Sequence, residues 1–426
     1  MTPHFNTALE GPVSELEQRL FDSKPVIERW FRQEWQDHTP PLYCEVTVRN
    51  AGFKLAPVGT NLFPDGWHNL SENALPLAAQ AARATIERLC PKTRNVLIVP
   101  KSGQLSSFDM ASLENLCRIF QMAKFDVRLG SIDPGLESSR ELPLSGGQTL
   151  TLAPAQRERS RLRLRHFDPC TVLLNDGLER GAPGILEELH EQHLMPPLPM
   201  GTTVRRKSPG LHFYEQVSKY FAKLVGVDPW LIHPMFVHCD APDARDKGGF
   251  GALREHIHAL LGRLRHKHKE YGIAAKPFVI VKADRGPCGT GVLTVYDSGD
   301  LQRHDAVSAL DLARDQLGGQ VVVQEGVLTS ERIGQAVAEP VIYAIGRHVV
   351  GGFYRVGAGS GRDENLHRPG ASFVPLSYSG RSAGARLPND EHDADLPDRF
   401  YAYSVMARLA MLATGHEIEA LDTAFA

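Results

Sequence analysis

The stretch FVIVKADRGPCGTGVLTV, residues 278–295, decides how the C-terminal half is built. A β-branched run holding Lys282 leads into three glycines, Gly286, Gly289 and Gly291, and a second β-rich run follows. Two familiar phosphate loops can be tested against this spacing. A Walker A loop needs GxxxxGK[ST], with the lysine after the glycines at a helix start; here the lysine comes first. A dinucleotide fingerprint needs GxGxxG between a strand and a helix, and this turn returns into a strand. What remains is a β-hairpin flap over 284–292, with Lys282 on the strand beside it. Such a flap suits a nucleoside triphosphate, because glycines let backbone N–H groups approach phosphate oxygens while a lysine adds a point charge. An ordinary tight turn is the bland alternative.

The order of the following segments favours the nucleotide. VVVQEGV, 321–327, offers a strand end whose backbone can bond an adenine edge. Thr290 in the flap, with Gln324, Glu325 and Val327 here, are therefore candidate nucleotide contacts, and Glu325 could hold the base amino group or the ribose. Downstream, GGFYRVGAGSGRDENLHRPGASF places Arg355 on a strand and Asp363, Glu364 and Asn365 after a loop. Hard oxygens of this kind suit Mg²⁺ bridging phosphates, and an arginine suits a carboxylate or a transferring phosphoryl group. Glu339, opening EPVIY, is a second acidic candidate.

Working outward, the chain divides. The segment 95–130 reads as strand, helix, strand (NVLIVP, DMASLENLCRIFQMA, FDVRLGS), a βαβ unit that implies a parallel sheet. TVLLNDGL, 171–178, is a further strand ending in polar residues, where doubly wound sheets tend to place ligands. Before these, Ser14 and Glu17 form a capping-box pattern, Pro25 sits near a second helix start, and YCEVTVRNAGFKLAPV alternates as a strand. The loop GTNLFPDGWHNLSE, 59–72, is either functional or a plain Ω-loop. After 181 the pattern is α+β, with a hairpin turning at Gly346 and Arg347 and a final helix over 391–414. The expectation is an α/β and α+β protein: an N-terminal parallel βαβ (Rossmann-like) domain over 1–180, then a catalytic domain over 181–426.

Bulk numbers narrow the class. Of 426 residues 42% are hydrophobic and 23% charged, with a formal net charge of −3, so nothing global argues for nucleic acid. Two basic stretches, LREHIHALLGRLRHKHKEYG and RERSRLRLRH, read as a solvated helix face and a charge-protected edge strand, with an anion-facing strand as the alternative for the second. The opening residues lack a secretory signal pattern, and no run of about 18 apolar residues exists. Six scattered cysteines (44, 90, 117, 170, 239 and 288) show no metal-ligand spacing, so a reduced cytoplasm with most of the thiols simply packed is expected.

Several stretches, VRNAGFKLAPVGTNLFPDGWHNL, VRRKS, DPWLI, KEYGI, VIVKAD, VVVQEGV, AEPVIY, GGFYRV, DENL and SFVPLSY, span 47–378 in an order that resembles the proteobacterial glutamate–cysteine ligases of ATP-grasp type. The resemblance implies an ATP-grasp domain after 181. It also implies ATP and Mg²⁺ as cofactors, small-molecule amino-acid substrates, and no nucleic-acid or membrane partner; homo-oligomerisation stays open. Carried over by motif, Lys282, Gly286, Gly289, Gly291, Gln324 and Glu325 would handle ATP, Glu339, Glu364 and Asn365 would bind magnesium, and Arg355 would steady an acyl phosphate. Arg49, Asn50, Lys54, Asn61, Asn69, Arg205 and Arg206 would meet the amino acids.

Three departures bear on specificity. The flap reads RGPCGTG where the family pattern has AGTYGMG, VGTN stands for VDTN, and PKSGQLSS lacks the expected amide and histidine residues. A paralogue joining another amino acid or amine, or a relative that only binds nucleotide, therefore stands beside the ligase reading. Cys288 in the flap raises a redox-sensitive alternative, and Glu417 and Glu419 are candidates for a further acidic metal ligand.

Overall fold

A computed structural model describes residues 12–91, 94–144, 147–241, 250–287, 289, 291–367, 370–376 and 399–425. It is a mixed α/β structure with three main sheets and, among the described residues, eight α-helices. The first sheet is antiparallel, in the order Ser372–Pro375, His348–Gly357, Ala336–Ile345, Tyr43–Asn50, Leu55–Asn61. Strands from both ends of the sequence share it, so the expected division at residue 180 cuts across its pairing.

The second sheet contains the expected βαβ unit. Asn95–Pro100 and Asp126–Ser131 run parallel on either side of Ser107–Met122, and Thr171–Asn175 extends the parallel set. Ser106 opens that helix with a capping box to Asp109, which satisfies N–H groups the first turn leaves orphaned. The third sheet, Phe236–Asp240, Gln320–Glu325, Val279–Ala283, Leu293–Val295, is antiparallel and backed by Gly251–Glu270 and His304–Gln316.

Cores lie between these layers. Leu16, Phe31, Phe221 and Met406 belong to one that packs helices at both ends of the chain on the first sheet. Trp67, Ala82, Phe120 and Tyr343 fill the space between the first two sheets. The helix Pro12–Asp22 begins upstream of the expected cap, which leaves Ser14 inside the helix rather than at its start. The final helix runs Arg399–Phe425, eleven residues beyond its expected end at 414, while 391–398 lie outside the described residues. Its alanine- and methionine-rich face is buried, so packing rather than a local stop signal sets its length.

The cysteine expectation needs correction. Cys90 and Cys170 are joined in a disulfide across 80 residues of sequence, tying the end of the 75–89 helix to the start of the 171–175 strand. Cys44, Cys117 and Cys239 are thiols; Cys288, with the redox idea attached to it, lies outside the described residues. The basic stretches behave as solvated or locally paired surfaces. Lys267 bonds Asp228 at 2.7 Å, Arg161 bonds Asp168 at 2.9 Å, and Arg163 pairs with Glu158. Among the described residues no helix is long and apolar enough to cross a membrane.

Candidate active site

Strand alternation builds the first wall. In YCEVTVRN, Cys44, Val46 and Val48 enter the core, while Glu45, Thr47 and Arg49 take the other face and line a cavity of about 220 Å³. The neighbouring strands bring Glu339 directly opposite Arg355, and Asn61 opposite Glu45. A buried charge chain results. Arg49 Nε donates to Glu339 Oε2 at 2.9 Å, Arg355 Nη1 to Glu339 Oε1 at 2.9 Å, and Arg355 Nη2 to Glu45 Oε1 at 3.0 Å. Arg49 also donates to the carbonyls of Val327 (3.1 Å) and Glu364 (2.6 Å), pinning the 361–367 loop to the sheet.

The two carboxylates titrate differently. Burial alone would raise the Glu339 carboxyl, but the Arg49 and Arg355 charges overcome it and hold it below its ordinary value. Glu45 has one guanidinium partner. Burial, reinforced by the Asp65 carboxylate against the pull of Arg355, pushes it up to about 7.

The opposite wall is the third sheet. Ile280 and Lys282 on one strand and Gln324 on its neighbour line the same cavity, and the flap follows Lys282 as the expected hairpin, with Val279 opposite Val295. Gly289 has φ +83°, and a Cβ there would lie 3.0 Å from the His367 carbonyl, so any side chain would strain the turn. The flap root is tied to the 207–225 helix. Lys207 Nζ donates to the carbonyls of Ala283 (2.9 Å) and Gly286 (3.1 Å), and Ser208 donates N–H and O–H to Asp284 at 2.7 and 2.8 Å. Asp284 therefore satisfies the helix N-terminus.

The third wall comes from the 207–225 and 399–425 helices. Arg205 forms a fork with Glu417 (3.0 and 2.7 Å) and donates to the Thr60 carbonyl at 3.1 Å. Glu419 turns to the far side, where His38 Nδ1 donates to it at 2.8 Å.

Most expected residues converge here. Lys282, Gly289, Gln324, Glu325, Val327 and Arg355 line the cavity, as do Glu339, Asn365, Arg49, Asn61 and Arg205. Others do not line it. Lys54 is fully buried behind the wall, donating to Glu325 Oε2 at 2.8 Å and lying over the Trp230 ring at 4.5 Å. Glu325 also accepts from Trp230 Nε1 (3.1 Å) and Met235 N (2.9 Å), so its carboxylate is committed to the protein. Asn50 donates to Glu331 at 2.9 Å, Asn69 is set apart from the cavity, Arg206 is exposed before the 207–225 helix, and Glu364 contributes its backbone carbonyl to Arg49. Gly286 and Gly291 flank the cavity without lining it, and Thr290 lies outside the described residues.

Sequence reasoning missed Glu45, Lys207 and His367. The signal for Glu45 was legible: a strand that buries Cys44, Val46 and Val48 carries Glu45 and Arg49 at even spacing on its other face. Lys207 and His367 gave no such pattern.

The glutamate-cysteine ligase family, GshA, matches residues 17–418, nearly the whole chain. The chain belongs to that family. Membership makes it an ATP-dependent ligase that forms γ-glutamylcysteine from glutamate and cysteine. A crystal structure from Methylobacillus flagellatus KT at 1.90 Å, of a protein assigned provisionally as a γ-glutamylcysteine synthetase, is 42% identical over 99% of each chain, with a TM-score of 0.88. A glutathione synthetase-like effector from Globodera pallida, 9% identical over 84% of this chain and 79% of its own, has a TM-score of 0.37 and carries no argument. No curated protein matches the chain significantly.

Proposed function

We propose that this ligase works in ATP-grasp fashion, with nucleotide held between the third sheet and the charged face of the first. The proposal keeps an N-terminal part over 1–180 and a catalytic part over 181–426, with 43–61 contributed to the catalytic sheet. The observation that carries it is one cavity lined both by Lys282 and the flap and by the Glu45–Arg355–Glu339–Arg49 chain.

Each group has a task set by its chemistry. Lys282 and the flap N–H groups hold the polyphosphate, and Gln324 with the backbone near Val327 receives the base. Glu339, Asp363 and Asn365 offer the hard oxygens that suit Mg²⁺, which would neutralise phosphate charge when bound. Their donor set fits, because each Glu339 oxygen keeps a second lone pair after its arginine bond, and Asp363 engages Tyr296 through Oδ2 at 2.6 Å. Arg355 faces the γ-carboxylate of glutamate as it takes up the phosphoryl group and steadies the charge that develops. Glu45, poised near neutrality, accepts a proton from the cysteine ammonium so that the free amine can attack and phosphate can leave. Arg49 and Arg205 fix the walls rather than the chemistry. The cytoplasm, which supplies ATP, is the compartment this reading implies.

The test is phosphate release from ATP and Mg²⁺ with glutamate, alone and with each amino acid or small amine, followed by mass spectrometry. Cysteine-dependent release giving γ-glutamylcysteine is expected. Turnover only with another acceptor would make the altered flap and Gly59 specificity determinants, and no turnover with any pair would overturn the catalytic reading.

A further inference from the structure

We propose that the junction of the N- and C-terminal helices is a second metal site, distinct from the cleft, that takes a divalent transition ion, with Zn²⁺ the best match. Glu34 lies in the last turn of Lys24–Asp37, His38 is that helix's C-cap, and His416 and Glu419 come from Arg399–Phe425. One ligand atom from each of Glu34, His38 and His416 lies within 4.8 Å of the other two.

Two independent features point to a cation. His38 Nδ1 donates to Glu419 at 2.8 Å, which fixes the ring and leaves Nε2 to face Glu34 Oε2 at 3.9 Å. A carboxylate behind a histidine is the usual outer support of a metal-binding imidazole. Separately, His416 Nε2 is buried with no hydrogen-bond partner among the described residues, and its ring lies 4.0 Å from that of His38. A protonated His38 bridging its two carboxylates would satisfy the first feature but leave His416 Nε2 orphaned. A metal satisfies both.

Two imidazoles and a carboxylate suit zinc and its neighbours, whereas magnesium prefers an all-oxygen shell. Ligands of a tetrahedral zinc stand about 3.3 Å apart, so the side chains must close by up to about 1.5 Å. The side chains of His38 and Glu34 are 27% and 24% exposed, which gives them that freedom and leaves a fourth position for water. The bound ion would join the 24–37 helix to the 399–425 helix. Glu417, beside His416, is the cleft partner of Arg205, but the proposal does not depend on the activity assigned to the cleft.

Calorimetric titration of the untagged, full-length protein with Zn²⁺, without nucleotide, tests this. One ion per chain is expected, with a higher melting temperature and, with Co²⁺, a visible spectrum lacking thiolate charge transfer. His38→Gln and His416→Gln should each weaken binding by about 100-fold, and Glu419→Gln by about 10-fold, while activity without zinc is retained. Unchanged affinity in His416→Gln would mean an adventitious ion only and overturn the site. A thiolate band in the Co²⁺ spectrum of the parent would do the same, and it needs no variant to fold.

Discussion

Arg355 and Glu339 are direct partners across two antiparallel strands, and Arg355 reaches past Glu339 to Glu45 on a third strand. Strand register thus concentrates these three charges on one sheet face. Because all three side chains are buried, Arg355→Met would leave two carboxylates short of a partner and destabilise the fold by about 3–5 kcal/mol. Arg355→Lys keeps a charge but loses the fork. It should fold and lower kcat about 100-fold with a smaller change in KM. Thermal melting and steady-state phosphate release separate the two effects; a Lys variant with parental kcat would remove Arg355 from the reacting groups.

Lys54 and Glu325 form an ion pair behind the cavity wall. Burial pulls the Lys54 ammonium down to about 8 against the attraction of Glu325, so the lysine keeps its proton at neutral pH. Lys54→Met should cost about 3 kcal/mol by stranding Glu325, and the double variant Lys54→Met/Glu325→Gln should recover most of that loss. Denaturant midpoints decide it. A Lys54 variant of parental stability with a raised amino-acid KM would return Lys54 to the substrate-binding set.

Glu45 sets a pH dependence. Its folded value near 7 lies above the ordinary 4.5, so between those values the native state holds a proton that the unfolded chain has released. Its contribution to stability is therefore fully present below about 4.5 and is lost as pH rises through about 7. Glu45→Gln should narrow the loss of stability between pH 5 and 8. The same ionisation should give kcat/KM an inflection near pH 7, rising toward alkaline pH, that the Gln variant lacks. An inflection that survives in Glu45→Gln would assign it to another group.

Local patterns in the sequence carried the flap, the 336–357 hairpin, the 95–131 βαβ unit and Arg355, because each depends on alternation or turn chemistry within a short window. Relationships between distant segments were out of reach. Nothing near Lys54 announces Glu325, 271 positions away, and nothing near Cys90 announces Cys170. Glu364 and Glu45 show the same limit from the other side. An acidic residue in a polar loop is conspicuous in sequence, but its backbone carbonyl is what pins that loop through Arg49, whereas an acid inside a strand is noticed only when its face is known to meet a cleft.

Gly289 should act on nucleotide rather than on the fold. With φ +83° and the His367 carbonyl 3.0 Å from any added Cβ, Gly289→Ala must shift the flap tip. The tip belongs to a surface hairpin, so the melting temperature should hardly move, while KM for ATP should rise on the order of 10-fold through lost backbone contacts. A parental KM for ATP would mean that the flap does not cradle phosphate.

Gly59 sits in VGTN, where the sequence resemblance leads to VDTN being expected, and the structure makes that exchange testable. It lines the cavity opposite Thr47, its φ is not in the left-handed region, and an added Cβ meets nothing within 4 Å. Gly59→Asp should therefore fold with a stability change within about 0.5 kcal/mol. Arg205 lines the same cavity, but it already forks with Glu417 and donates to the Thr60 carbonyl, so the new carboxylate remains available to a ligand. An amino-acid ammonium bound nearby would gain a charge-assisted hydrogen bond, and KM for that substrate should fall about 10-fold while KM for ATP stays fixed. If cysteine alone responds, the amine acceptor sits beside the 55–61 strand; if glutamate alone responds, the acyl donor does. If neither KM moves, the loss of this acid has no bearing on substrate choice, and specificity must be sought at the flap and the 100–107 loop.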